Sequence, residues 1–332
     1  MVQNVDQYIF VHKLLVEHYL FGDTEMNEEQ LRELMQSKNA DQLLLEFQNL
    51  TKIPPMNLKR DDDEEKYRKM NRNQNIIPYK RNKVAVVPMP EDTETPYINA
   101  SVMETYEGSG KVIAAQGPMG LSVEYFWRAI MDNDVSVIVM LNQAIEEEKQ
   151  QCFQYWPDKI GSKLQFGNIG VELFEETSEN EIIVRRLNVT RDKQSKPILH
   201  YQHPNWCSKK SPGPSSVLNL VTIFQQYSPL VTLVHCSDGA GRTGIFCTIY
   251  NLCQRFKVEK RINVFQTVKD LQDCRPGMVQ TEDEYKHCYE IMLAYINSFS
   301  LYENLNCPKQ KSSGPGGTQN LYESISAINI AR

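Results

Sequence analysis

Hydrophobic residues in this chain recur at two spacings, and each spacing predicts a different element. Apolar positions three and four apart predict helices over residues 1–20, 27–37, 41–50, 122–132, 214–226, 242–256, 262–273 and 281–298. Asn27 and Asn39 stand where N-caps belong for the second and third of these. Short apolar runs predict strands near 82–88, 111–115, 134–141, 163–175, 181–190, 197–203 and 230–235. This mixed order suits an α/β (α+β) fold, a large and highly twisted mixed sheet flanked by helices. From about residue 300 the pattern lapses. Ser312-Ser313-Gly314-Pro315-Gly316-Gly317 carries no periodicity, and a disordered tail is expected over 300–332.

The most informative turn lies between the predicted strand at 230–235 and the helix that follows. It reads His235-Cys236-Ser237-Asp238-Gly239-Ala240-Gly241-Arg242-Thr243-Gly244. A strand, a Gly-rich turn and a helix start aim backbone N–H groups and the positive helix end at one point, which suits a phosphate. The N–H groups of Ser237, Asp238, Gly239, Ala240, Gly241 and Arg242 would form the cradle. Arg242 can close it with a planar two-pronged guanidinium. In such a field Cys236 is expected to ionise readily, with a pKa of roughly 3.5–7.5, and to act as a nucleophile. A cysteine alone more often fills a core. The arginine six positions on and the glycines between them are what mark this one, although Cys-x5-Arg occurs in several unrelated phosphatase and sulfur-transfer folds.

Further motifs narrow the choice. Asn71-Arg72 with Ile77-Pro78-Tyr79, Tyr97-Ile98-Asn99-Ala100-Ser101 and Ala114-Ala115-Gln116-Gly117-Pro118 come first. Phe126-Trp127, Val137 to Leu141, Cys152-Phe153-Gln154-Tyr155-Trp156-Pro157 and Arg275-Pro276-Gly277-Met278-Val279-Gln280-Thr281 follow in order. Over roughly residues 40–297 the chain resembles the protein tyrosine phosphatases, and most of all the second, membrane-distal domain of receptor-type members. The resemblance implies that Cys236 and Arg242 are catalytic, that Thr243 steadies the thiolate and that Gln280 positions water. It also implies that Glu146 orients Arg242, with His235 and Trp206 in support. No cofactor and no metal is implied, and the histidines show no metal-ligand spacing.

The chain departs from that pattern where the proton should come from. Asp158 follows a Trp-Pro pair but lies too early, in the framework motif that starts at Cys152. The acid loop should follow Ile198 to His203, and there the chain reads Trp206-Cys207-Ser208. Cys207 replaces the expected Pro and Ser208 the expected Asp. Loss of a placed general acid costs roughly 10²–10⁴ in rate. Asn73 replaces the tyrosine that walls the phosphotyrosine slot, a contact worth about 0.5–1.5 kcal/mol. The expectation is a phosphate-binding module with weak or no turnover. The competing reading is an active phosphatase working through a cysteinyl-phosphate.

Met1-Val2-Gln3-Asn4-Val5-Asp6-Gln7-Tyr8 echoes Met278-Val279-Gln280-Thr281-Glu282-Asp283-Glu284-Tyr285. Residues 1–22 are therefore expected to be the closing helix of a preceding phosphatase domain plus a linker, with the domain proper at 23–299. With 332 residues, 41% hydrophobic and 23% charged, the chain has ample core. A net charge of −6 gives no reason to expect nucleic acid as a partner. A nucleophilic cysteine needs a reducing compartment, and no 18-residue apolar run is present. The expected setting is cytoplasmic, the intracellular part of a single-pass receptor. Expected partners are phosphotyrosine proteins, the sister catalytic domain and, at Tyr302 and Tyr322, phosphotyrosine-binding modules.

Overall fold

The computed structural model describes residues 2–37, 40–52, 65–106, 108, 110–207, 211–226 and 230–306. Two compact units divide the chain, Met1–Ile296 and Asn297–Arg332. Three helices open the first unit: α1 (Val5–Phe21), α2 (Glu28–Gln36) and α3 (Ala40–Lys52). Strands β1 (Ala100–Met103) and β2 (Val112–Ala115) precede α4 (Val123–Asp132). Then come β3 (Val135–Met140), the short pair β4 (Ile145–Glu146) and β5 (Lys149–Gln150), and β6 (Lys163–Phe166). After β7 (Ile169–Glu179), β8 (Ile182–Arg191) and β9 (Gln194–Gln202), the chain forms α5 (Pro214–Gln225) and β10 (Val231–His235). Three helices follow, α6 (Gly241–Glu259), α7 (Val264–Cys274) and α8 (Glu282–Asn306).

Eight strands make one mixed sheet in the order β1-β2-β10-β3-β9-β8-β7-β6. Its centre, β2, β10, β3 and β9, is parallel, and the flanks are antiparallel. A parallel centre must be covered on both faces. Accordingly Val137, Ile138, Val139, Leu233 and Val234 are all buried. Phe126, Trp127 and Ile130 of α4 pack on one core cluster with Ile138, Met140 and Leu233. The carboxyl ends of β10, β3 and β9 come together, where His235 aligns with Met140 and Met140 with Gln202. In open parallel sheets this edge is where ligands bind.

Several expected boundaries move, each for a local reason. The alternation at 82–88 gives only an isolated bridge, Lys83 with Ser101. There Val87 N–H donates to the Asp132 carboxylate at 2.8 Å instead of to a ladder. The adjoining strand is β1, which the apolar pattern alone did not mark. The segment 163–175 is a hairpin, not one strand, because Gly167 turns the chain at φ +55°. Helix α8 runs on to Asn306, past the expected onset of the tail at 300, and includes Tyr302. Tyr322, expected to dock phosphotyrosine-binding modules, lies outside the described residues.

Helix α1 has an unusual surface. In α8, Tyr285, Cys288, Ile291, Met292 and Ile296 are fully buried. Their counterparts in the repeated motif, Tyr8, Val11, Leu14, Leu15 and Tyr19, are 40–89% exposed.

Leu233 lies at the middle of β10 and is 1% exposed. Leu233→Ala should therefore cost about 2–5 kcal/mol, seen as a lower urea midpoint at unchanged slope.

Candidate active site

Strand β10 ends at His235 and α6 begins at Gly241, so the turn between them sits on the ligand-binding edge of the sheet. Its shape depends on glycine at one position above all. Gly239 has φ +72°, and a Cβ there would lie 2.2 Å from the carbonyl oxygen of Ala115. Two arginines hold the turn from outside. Buried Arg275 donates from Nε to the Gly239 carbonyl at 2.7 Å and from Nη2 to the Asp238 carbonyl at 3.0 Å. Arg72 donates to the carbonyls of Ser237 and Gly117 at 3.2 and 3.3 Å. With carbonyls taken on the outside, N–H groups face in: Gly239 N–H points at Cys236 Sγ at 3.3 Å. Ser237 Oγ donates to Gln151 at 2.7 Å.

Arg242 is buried and aimed by Glu146. Nη1 donates to Oε1 at 2.6 Å and Nη2 to Oε2 at 3.2 Å, and the carbonyl of buried Trp206 accepts from Nη1 at 2.7 Å. Burial alone would weaken the guanidinium's charge; Cys236, Glu146 and Asp238 more than offset it. Glu147 and Glu148 both adopt positive φ, which makes the tight turn that sends Glu146 inward while they stay exposed.

The state of the thiol differs from the sequence expectation. Cys236 is 1% exposed, and burial, followed by the Asp238 carboxylate, pushes its pKa up. Arg242 and the hydroxyl and N–H of Thr243 pull the other way without prevailing. The direction runs against the expected activated range of roughly 3.5–7.5, because the thiol is buried and the turn carries a carboxylate of its own. Asp238 Oδ1 accepts from Ala240 N–H at 3.1 Å and from the thiol at 3.6 Å, and Gln280 Nε2 donates to Oδ2 at 2.7 Å. Gln280 and Thr243, both expected at the site, are at it; Gln280 is tied to Asp238.

Asn73 is half-buried, and its side chain accepts from Asn75 N–H at 3.0 Å, so it serves its own turn. Cys207 is half-buried beside Trp206, while Ser208 lies outside the described residues. Among the described residues no group of His, Cys, Asp and Glu could hold a metal, and no helix is long and apolar enough to cross a membrane. The signal for Arg72 and Arg275 was present in their motifs but gave no role. That for Asp238 was a charge read only as a backbone donor.

A cysteine and an arginine closing a strand–turn–helix cradle at the sheet edge make an arrangement on an α/β frame that can hold a phosphate over a cysteine. Residues 67–294 match the family model for protein-tyrosine phosphatase, and the chain belongs to that family. It is 38% identical to human receptor-type tyrosine-protein phosphatase alpha over 92% of this chain and 40% of that protein. Human receptor-type tyrosine-protein phosphatase epsilon is 34% identical over 92% and 46%. Mouse receptor-type tyrosine-protein phosphatase F is 33% identical over 91% and 17%. The chain thus spans less than half the length of these relatives.

The position of the thiol has a direct readout. Alkylation of Cys236 by iodoacetamide, followed by peptide mass spectrometry, should still accelerate as pH rises past 9. A rate already flat above pH 7 would mark an activated thiolate and contradict the raised pKa.

Proposed function

We propose that this domain is a regulatory or substrate-binding tyrosine phosphatase module with weak or no turnover, set within a tandem receptor-type enzyme. The observation that carries the reading is Asp238, whose carboxylate occupies the anion-seeking turn. It accepts Ala240 N–H and lies against the thiol, so it opposes both the thiolate and an incoming phosphate dianion. At about 4 Å and an effective dielectric constant of 20, two like unit charges repel by about 4 kcal/mol. Ser208 in place of an acid and Asn73 in place of an aromatic wall act in the same direction. The bidentate pairing of Arg242 with Glu146 favours the second reading, an active phosphatase forming a cysteinyl-phosphate, because it presents a phosphate-ready guanidinium.

The framework motifs resemble those of the second domain of receptor-type enzymes such as the leukocyte common antigen. In that setting the domain is intracellular, and its partners are phosphotyrosine segments and the sister catalytic domain. Helix α1, with its apolar positions exposed, fits the role of closing helix for another copy of this fold.

Turnover of a phosphotyrosyl peptide decides between the readings. The native chain should match Cys236→Ser, whereas Asp238→Ala combined with Ser208→Asp and Asn73→Tyr should gain at least about 10²-fold. Turnover by the native chain well above Cys236→Ser would establish the enzyme instead. A second expectation concerns binding alone: Asp238→Asn should tighten tungstate binding by roughly tenfold or more in calorimetry, and unchanged affinity would remove Asp238 as the blocking group.

A further inference from the structure

Beside the phosphate turn lies a second cavity, of about 600 Å³, between the segment that follows β9 and the first turns of α8. Asp283, Glu284, His287 and Glu290 line it from α8. His287 stands four and three positions after the first two, and Glu290 three further on, so they make one stripe of the helix. Glu284 is fixed by the helix cap. Its Oε2 accepts from the N–H groups of Gln280 at 2.6 Å and Thr281 at 3.3 Å, and Thr281 Oγ1 accepts from Glu284 N–H at 3.2 Å. Burial, opposed by those two N–H groups, pushes its carboxyl pKa up. Trp206, Cys207 and the run from Ser211 to Pro214 form the other wall. Arg242 lines the cavity as well, so it opens beside the place where a phosphate over Cys236 would lie.

The polar character of these walls is one-sided. His287 Nδ1 lies 3.1 Å from Glu290 Oε2. A carboxylate only accepts, so Nδ1 donates and Nε2 is left as an acceptor. The His287 side chain is 8% exposed, and its Nε2 is buried without a hydrogen-bond partner among the described residues. A buried acceptor of this kind needs a donor. Asp283, Glu284 and Glu290 add three carboxylates to the same side. Opposite them, Pro212 and Pro214 have no N–H to offer. The two cations on the lining are Arg242, already paired through both Nη atoms with Glu146, and Lys286, which is exposed. A cationic donor is what the cavity fits.

We propose that this cavity receives the side chain of an arginine standing close to the phosphotyrosine in a bound peptide, with the phosphate over Cys236 and the guanidinium among Asp283, His287 and Glu290. Arginine suits it better than lysine. Its planar fork of five donors can serve His287 Nε2 and a carboxylate together, and Trp206 gives the flat group an aromatic wall. The inference rests on the reading of the turn as a phosphotyrosine site. It narrows the substrate class to segments with an arginine beside the phosphorylated tyrosine. It also gives a second point of hold to a domain whose own Asp238 opposes the phosphate.

Calorimetry with phosphotyrosyl peptides tests the proposal. The set carries one arginine at each of the three positions on either side of the phosphotyrosine, with glutamine at the rest, beside an all-glutamine and an all-glutamate peptide. At least one arginine peptide should bind about fivefold or more tighter than the all-glutamine one. Asp283→Asn combined with Glu290→Gln, both outside the phosphate turn, should erase that preference and leave tungstate affinity within about twofold. Equal binding of arginine and glutamine peptides, tighter binding of the glutamate peptide, or a preference that survives the double change would each overturn the proposal. So would a fall in tungstate affinity alongside the lost preference, which would place both effects at the turn. If no peptide binds, the phosphotyrosine reading is what fails, and the cavity is judged by N-acetylargininamide alone. A saturable shift of the His287 Nε2 resonance in histidine-labelled protein, absent from the double variant, supports the arginine site; no shift overturns it.

Discussion

A turn whose carbonyls are all spoken for on one side must present its N–H groups on the other, and those groups need an anion. Arg275 and Arg72 impose that condition on the segment from Ser237 to Gly239 by donating to its carbonyl oxygens. The arrangement depends on close backbone approach at Gly239, on β10 lying between β2 and β3, and on α6 starting where the turn ends. The helix end adds its partial positive charge to the same point. Everything else at the site responds to this one concentrated field.

Two acidic groups answer it in different ways. Glu146 approaches from the short β4–β5 hairpin and neutralises Arg242 from behind, leaving the inward field of the backbone intact. Asp238 belongs to the turn and answers from within, with Gln280 and Ala240 N–H holding its carboxylate in place. The first arrangement prepares a guanidinium for a ligand. The second fills the ligand's role. Burial and that carboxylate, 3.6 Å from the thiol, both push the pKa of Cys236 up because both disfavour its charge. The same loop sequence therefore encodes a phosphate cradle and its intramolecular occupant.

Much of this was legible in residue order. The sheet-and-helix alternation, the strand into Cys236 and the helix from Arg242 followed from periodicity and glycine placement. Other features were not, and the reasons are physical. The inward turn of Glu146 relies on positive φ at Glu147 and Glu148, residues with no evident preference for it. A charge such as Asp238 reads as solvated until its side chain is seen folded back on its own turn. Val84 and Val86 are buried in alternation like a strand, yet the segment joins β1 only through one isolated bridge and Val87 N–H turns to Asp132, since pattern records burial and not pairing. The buried contacts from Arg185 through His200 and Tyr155 to His235 join residues fifty positions apart on different strands, which no local pattern carries.

The nucleophile's environment is set from two sides. Above the sheet edge, Arg242 and the helix end act across the open site, where solvent and ligand screen or replace them. Below it lie the fully buried His200, Tyr155 and His235, which solvent does not reach, with Trp156 stacked on His200. A ligand entering the cradle changes the upper field at once but leaves that buried layer in place. The protonation balance of Cys236 is then a contest of Arg242 and Thr243 against burial and the negative charge of Asp238. Because Asp238 is half-exposed and held by the exposed Gln280, the negative side is the one that a bound partner can alter.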